Sequence, residues 1–109
     1  MSVQPTPFDS VFQALANPAR REVIARLGLG PTSVGDLAVG SSLALPTFVQ
    51  HLRVLERAGL VRSQKRGRVR TYTLCPAALV EAEGWLVEQR ARWEARLDRL
   101  DALLTREDP

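Results

Sequence analysis
SVGDLAVGSSLALPTFVQHLRVLERAGLVRSQKRGRVRTYTL, residues 33–74, decides the fold. It divides into a short helix at 33–38, a turn, a second helix at 45–59 and a basic hairpin at 60–74. Ser33 and Asp36 have the spacing of a capping box, so the chain turns helical at Ser33. Val34, Leu37 and Ala38 face inward, and Gly40-Ser41-Ser42 make the turn. In the next helix Phe48, Leu52 and Leu55 fall at i, i+4 and i+7 and form a core face. Pro46, Gln50, Arg53 and Arg57 lie opposite, with Thr47 and Val49 on the flanks, and Gly59 ends the helix. The hairpin then alternates. Tyr72 and Leu74 share one face; Val69, Thr71 and Thr73 share the other. Its tip is Lys65-Arg66-Gly67-Arg68, where glycine permits a tight turn.

A helix-turn-helix followed by a positively charged wing is a DNA-reading arrangement. The first residues of the second helix enter the major groove in such units. There Gln50 can pair bidentately with an adenine, and Thr47 can bond a base or touch a thymine methyl. The wing tip can lie along phosphates or insert an arginine into the minor groove. Charge follows the same division. The chain has a net charge of only +3. Residues 61–75 carry Arg62, Lys65, Arg66, Arg68 and Arg70 with no acid, whereas residues 76–109 carry five arginines against eight acids. The positive charge is thus concentrated where it can meet a polyanion.

Working toward the N-terminus, Phe8, Val11, Phe12 and Leu15 fall at helical spacing and predict a helix over about 8–16. Asn17-Pro18 supplies an N-cap and a first-turn proline for a helix over about 18–27. There Val23, Ile24 and Leu27 face inward and Arg20, Arg21 and Arg26 face water; Gly28, Gly30 and Pro31 end it. Residues 1–7 are expected to be a short disordered lead, without the charged and apolar regions of a signal peptide. Working toward the C-terminus, Pro76 opens a last helix over about 77–105. Leu79, Leu86, Trp93, Leu97, Leu100 and Leu104 make an apolar stripe along it, and Trp85 adds bulk on a neighbouring face. From Trp93 onward the spacing approximates a coiled-coil seam. One small domain cannot cover this stripe. It predicts a homodimer through Leu86, Trp93, Leu97, Leu100 and Leu104, helped by Phe8 and Phe12 of the first helix.

The 109 residues, 45% hydrophobic and 25% charged, fit one globular domain over 8–109, mainly α with a small β-hairpin. One cysteine, Cys75, excludes an internal disulfide framework and suits a reducing cytoplasm. No apolar run approaches the ~20 residues of a membrane span. No glycine-rich phosphate loop, His/Cys or His/Asp arrangement, or isolated carboxylate pair suggests an enzyme.

The segments LANPARREVIARL (15–27), SVGDLA (33–38), VQHLRVLERAGLVRS (49–63) and GRVRTYTL (67–74) together resemble the ArsR/SmtB family of bacterial winged-helix repressors. The stretch WLVEQRARWEARLDRLDALL (85–104) is similar to a subgroup with a long, Trp-containing dimerisation helix. The resemblance implies a dimer that binds an operator near its own promoter and represses transcription. It implies that Thr47, Gln50, His51 and Arg53 belong to the reading helix and Arg66, Arg68 and Arg70 to the wing. Three positions depart from the family pattern. Ala44 replaces the usual capping Ser or Thr, with Ser42 as a partial substitute. Leu45 and Val49 stand where polar, basic or small residues are common. Together with Pro46 they make the DNA-facing end apolar, which either favours thymine-methyl contacts or weakens binding.

Metal-sensing members carry Cys-Val-Cys on the third helix; the corresponding residues here are Ser33, Val34 and Gly35. One Cys and one His, far apart, are too few soft donors for a metal site, so no metal or other cofactor is expected. His51 is expected to pack or to touch phosphate. Cys75 is either a small half-buried residue or an intersubunit redox switch. The alternative to a sequence-specific repressor is a winged-helix dimerisation or protein-interaction module that binds DNA weakly. A nonspecific architectural DNA binder is a third reading. The sequence carries no sign of an effector.

Overall fold
The structure, a computed structural model, describes residues 4–6 and 8–106. In chain order it holds α1 (Asp9–Leu15), α2 (Pro18–Leu27), β1 (Thr32–Ser33), α3 (Val34–Ala38), α4 (Leu45–Arg57), β2 (Val61–Arg66), β3 (Val69–Leu74) and α5 (Pro76–Thr105). Of the expected lead at 1–7, residues 1–3 and 7 lie outside the described residues. Thr6 is anchored: its backbone N–H and its hydroxyl both donate to the Asp9 carboxylate, at 2.9 and 2.7 Å.

The helix boundaries follow from their caps. The Asn17 side chain accepts from the N–H groups of Ala19 and Arg20, with Pro18 in the first turn of α2. The Ser33 hydroxyl accepts from the Asp36 N–H and starts α3. Gly59, at φ +77°, lets α4 end in a left-handed residue. There the Leu60 N–H reaches the Leu55 carbonyl and the Gly59 N–H reaches that of Glu56. Leu55 and Leu60 are both fully buried beside this closure. The start of α4 is different. Ala44 is its N-cap and no side chain caps it; the Ser42 substitution does not occur, and the neighbouring Ser41 hydroxyl instead accepts from Leu43.

The sheet has one strand more than the hairpin in the sequence. β1 adds antiparallel to β3, pairing Thr32 with Tyr72 and Ser33 with Thr71, so the order is β1-β3-β2. Between β2 and β3 the register runs from Val61↔Leu74 to Arg66↔Val69, leaving Gly67-Arg68 as a two-residue turn. Gly67 takes φ +61°, a conformation that favours glycine. The core collects Val11, Val23, Leu27, Leu37, Phe48, Leu52, Leu55, Leu60, Val61 and Tyr72 from the elements before α5. Each fully buried leucine or phenylalanine contributes roughly 1.5–3 kcal/mol.

Two arginines of α2 do not face water as their helical positions suggest. Arg26 turns onto the end of α3, donating to the carbonyls of Leu37 at 2.6 Å and Asp36 at 2.8 Å. Arg20 turns onto the end of α1, donating to Ala14 and Gln13. Each guanidinium reaches carbonyls in the last turn of a helix; those of Gln13 and Asp36 also accept from the N–H of the helix's own C-cap, Ala16 and Val39.

α5 is a single helix of 30 residues, about 45 Å long at 1.5 Å per residue. Only its first turns touch the core, through Ala78, Leu79 and the buried Ala82. Trp85 then packs against Phe8 and Phe12, with ring centroids 6.2 and 5.9 Å away. Beyond it the helix projects, which gives the molecule its 76 Å long axis.

Candidate nucleic-acid interface
α4 is held by its buried face, Phe48, Leu52 and Leu55, so packing sets where its other face points. Leu45, Pro46, Thr47, Gln50, Arg53 and Arg57 are exposed on it, while Val49 and His51 are half-buried at its flanks. The uncapped start leaves first-turn N–H groups open to solvent or to an anion.

The wing stands across a groove from this face. The groove has a volume of about 1200 Å³. Ser33, Val34 and Gly35 line it together with Gln50, Arg53 and Arg57 of α4 and Lys65, Arg68 and Arg70 of the wing. It admits one carboxylate, that of Glu56, against five cationic side chains. Its chemistry is that of a surface for a polyanion. Val49, Gln50, Arg53, Arg68 and Arg70 are thus brought together around one groove. Leu45, Pro46 and Thr47 lie at the open start of α4, and Arg66 lies beside Arg68 at the wing tip. His51 turns away from the groove toward α2, where its Nδ1 lies 3.1 Å from an Arg20 nitrogen.

Two features of the groove are not legible in the residue spacing. Lys65 stands directly opposite Arg70 in the β2–β3 register, a like-charge pair that works against the hairpin until an anion approaches. Arg70 is also restrained: its guanidinium donates to the Ser63 hydroxyl at 2.8 Å, and that hydroxyl donates to the Glu56 carboxylate at 3.2 Å. This chain of hydrogen bonds ties the wing to α4 and, among the described residues, leaves Lys65, Arg66 and Arg68 as the unrestrained cations of the tip. Behind it, burial pushes the Tyr72 phenol above its ordinary 10.0, and the nearby Glu56 carboxylate adds to the shift.

The expected dimer residues divide in two. Phe8 and Phe12 are half-buried in the cluster with Trp85, their own rings 5.9 Å apart. Leu86, Trp93, Leu97, Leu100 and Leu104 are exposed, as is Leu103, which the stripe read from the sequence omits. Along the same helix Glu88 pairs with Arg92 at 2.7 Å and Arg90 with Glu94 at 3.7 Å, both exposed i, i+4 pairs. Cys75 is half-buried at the start of α5. Among the described residues no three His, Cys, Asp or Glu side chains are grouped to hold a metal, and no helix is long and apolar enough to cross a membrane.

Known proteins share this arrangement. Residues 15–64 match the family model described as a helix-turn-helix domain. The chain is 42% identical over 79 residues to the HTH-type transcriptional regulator Rv2034 of Mycobacterium tuberculosis, covering 72% of this chain and 73% of that one. It is 27% identical over 79 residues to the transcriptional repressor SdpR of Bacillus subtilis, covering 72% of this chain and 88% of that one. Among solved structures, the ArsR family transcriptional regulator RHA00566 superposes with a TM-score of 0.78 at 43% identity, over 82% of this chain and 98% of that one. With the basic groove, the reading helix and the wing in place, the chain belongs to the ArsR family of winged helix-turn-helix proteins and is a DNA-binding transcriptional regulator, not an enzyme.

Proposed function
We propose that the protein is a homodimeric, cytoplasmic repressor that grips a palindromic operator, its own promoter included. The observation that carries this reading is the pairing of two surfaces in one chain. One is the groove between α4 and the wing, rich in cations and fixed by a buried core. The other is the uncovered stripe of α5, from Leu86 to Leu104. Apolar patches of that extent mark an interface, and two-fold pairing of one patch with itself is its simplest occupant. Thr47 and Gln50 then read base edges, with Leu45, Pro46 and Val49 packed against thymine methyls. Arg53, Arg66 and Arg68 hold phosphate, and Arg70 sets the angle of the wing. Operator binding needs no metal or other cofactor.

The apolar front of α4 also favours a second reading. Leu45 is 57% exposed, and Val39 and Leu43 are exposed in the turn before it. These residues suit a protein partner on a module that binds DNA weakly. Mobility shift with the chain's upstream DNA, competed by random DNA, separates these two from each other and from a nonspecific DNA binder. Specific binding that random duplex displaces poorly supports the repressor; equal competition supports a nonspecific binder, and no shift supports the protein-binding module.

A further inference from the structure
Arg20 is thirty-one residues from His51 in sequence and lies on a different helix. Its guanidinium reaches three partners. Nε donates to the Ala14 carbonyl at 2.6 Å and Nη2 to the Gln13 carbonyl at 3.1 Å. Nη1 lies 3.1 Å from His51 Nδ1. Two of the three anchor the guanidinium to the last turn of α1, so it is held as a fixed fork. Among the described residues this is the one side-chain hydrogen bond that joins α4 to the helices packed behind it.

A guanidinium has five N–H donors and no acceptor. The Arg20–His51 pair is therefore a hydrogen bond only if Nδ1 carries a lone pair. That fixes the neutral ring with its proton on Nε2. Among the described residues no buried side-chain nitrogen or oxygen lacks a partner and none accepts from Nε2, so that atom is open to solvent. His51 lies one helical turn after Thr47 on the same flank of α4. The result is a single N–H donor of fixed tautomer and restricted rotation, at the edge of the helix that faces DNA.

We infer that Arg20 is a positioning residue for DNA binding: it holds His51 so that Nε2–H donates to a phosphate oxygen flanking the reading helix. The inference rests on α4 being the element that enters the groove. A donor whose rotamer and tautomer are already set loses little freedom on binding. Because the ring is neutral, its hydrogen bond to phosphate displaces no counterion, unlike that of a lysine or arginine. Arg20 thus contributes to affinity without touching DNA and without adding to its salt dependence.

The test uses the full chain and a duplex that it enriches from a random pool, with a scrambled duplex as control. Arg20→Gln, His51→Phe and the double variant are compared. Each single change should weaken binding to both duplexes alike, roughly three- to tenfold, the range for removing one uncharged hydrogen bond. The double variant should bind no more weakly than His51→Phe, and all log–log salt slopes should match wild type. Effects that multiply in the double variant, or a salt slope that flattens by about one unit in Arg20→Gln, would overturn the inference, since Arg20 would then act alone or hold phosphate itself. Should Arg20→Gln disturb folding, nitrogen-15 spectra of the wild type decide. The chain has one histidine, so one ring is observed. Nδ1 should be bare and Nε2 protonated in the free protein, and the Nε2 proton should exchange more slowly once the enriched duplex is added. An Nδ1–H tautomer, or an Nε2 proton unaffected by DNA, refutes the assignment. A wild type that enriches no duplex fails earlier and sinks the reading of α4 itself.

Discussion

Leu55 and Leu97 are the same residue in the same kind of helix, yet Leu55 is 0% exposed and Leu97 is 64% exposed. The first lies in α4, packed by α1, α2 and the sheet. The second lies in the half of α5 that projects beyond Trp85. The head places its apolar side chains against one another and its cations outside. The tail carries Trp93, Leu97, Leu100, Leu103 and Leu104, all exposed, with no other element beside them among the described residues. A helix stripe of that size is ordinarily stable in water only against a partner. The head buries its apolar side chains within its own chain, whereas those of the tail are exposed, which is what the proposed dimer accounts for. On the proposed function, the DNA contacts belong to the head and the linking of two heads to the tail.

The sharpest way to break this contrast is to charge the tail alone. Trp93→Lys with Leu97→Lys should give monomers in analytical ultracentrifugation, while circular dichroism still shows a folded head. Binding to a full palindromic duplex should weaken by about 10²–10⁴, because the two half-sites are no longer gripped by linked heads. Half-sites should still be bound. A wild type that sediments as a monomer at micromolar concentration would sink the dimer before any mutation is made.

Truncating one leucine in each region gives a quieter version. Leu55→Ala should cost roughly 2–5 kcal/mol of unfolding free energy, through reduced burial and the cavity left behind. That cost should be the same at any protein concentration. Leu97→Ala should cost the isolated chain no more than about 0.5 kcal/mol, as a surface change does. Its larger effect should appear on the dimer and vary with protein concentration in urea melts. Equal, concentration-independent losses would mean that the tail folds back on the head in solution.

Within the head, the wing and the reading helix should fail differently. Replacing Arg66, Arg68 and Arg70 with Ala should weaken binding to every sequence. The log–log salt slope should flatten by roughly one unit for each phosphate that the wing no longer neutralises. Arg70→Ala alone should flatten it least, since that guanidinium is held by Ser63. Gln50→Ala should instead relax the preference at one position of each half-site, by about 1–3 kcal/mol. Weakening of equal size on all sequences would place Gln50 on the DNA backbone, and an unchanged slope in the folded triple variant would remove the wing from the interface.

What can be read in the chain follows the same division. The spacing of Phe48, Leu52 and Leu55 is enough to orient α4, because burial of one face dictates the other. The glycines at 59 and 67 mark a helix end and a turn for the same local reason. β1 is not legible: Thr32-Ser33 is too short to show alternation, and Ser33 also serves as a helix cap. Arg20 and Arg26 are expected in water because charge on a surface position usually stays there. Their long side chains instead reach helix-end carbonyls supplied by other segments, a pairing that exists only after folding. The missing cap at Ala44 is visible, but whether Ser42 replaces it depends on loop geometry. The α5 stripe is plain from its period, since leucine and tryptophan spacing survives without a partner in view.

The smallest effect separates the regions by a single chromophore. Tyr72 is the one tyrosine of the chain and lies buried in the head; the tail has tryptophan but no tyrosine. Burial, then the Glu56 carboxylate, raises its phenol above 10.0, against smaller downward pulls from Arg70, Ser63 and Arg53. In the unfolded chain the phenol titrates near its ordinary value. Between the two values the unfolded chain has released a proton that the folded chain keeps, so stability falls as pH rises. The contribution of neutral Tyr72 is thus complete below about pH 10 and is lost as pH climbs through the folded-state value. Absorbance of the phenolate should titrate later in the native chain than in urea. Glu56→Gln should bring the native midpoint partway back, and Arg70→Ala should move it further up. Trp93→Lys with Leu97→Lys should leave it in place, because the tail does not shape the pocket around Tyr72. A native midpoint at or below that of the unfolded chain would mean that solvent reaches the phenol. A midpoint that follows the tail mutations would mean that head and tail are one cooperative unit.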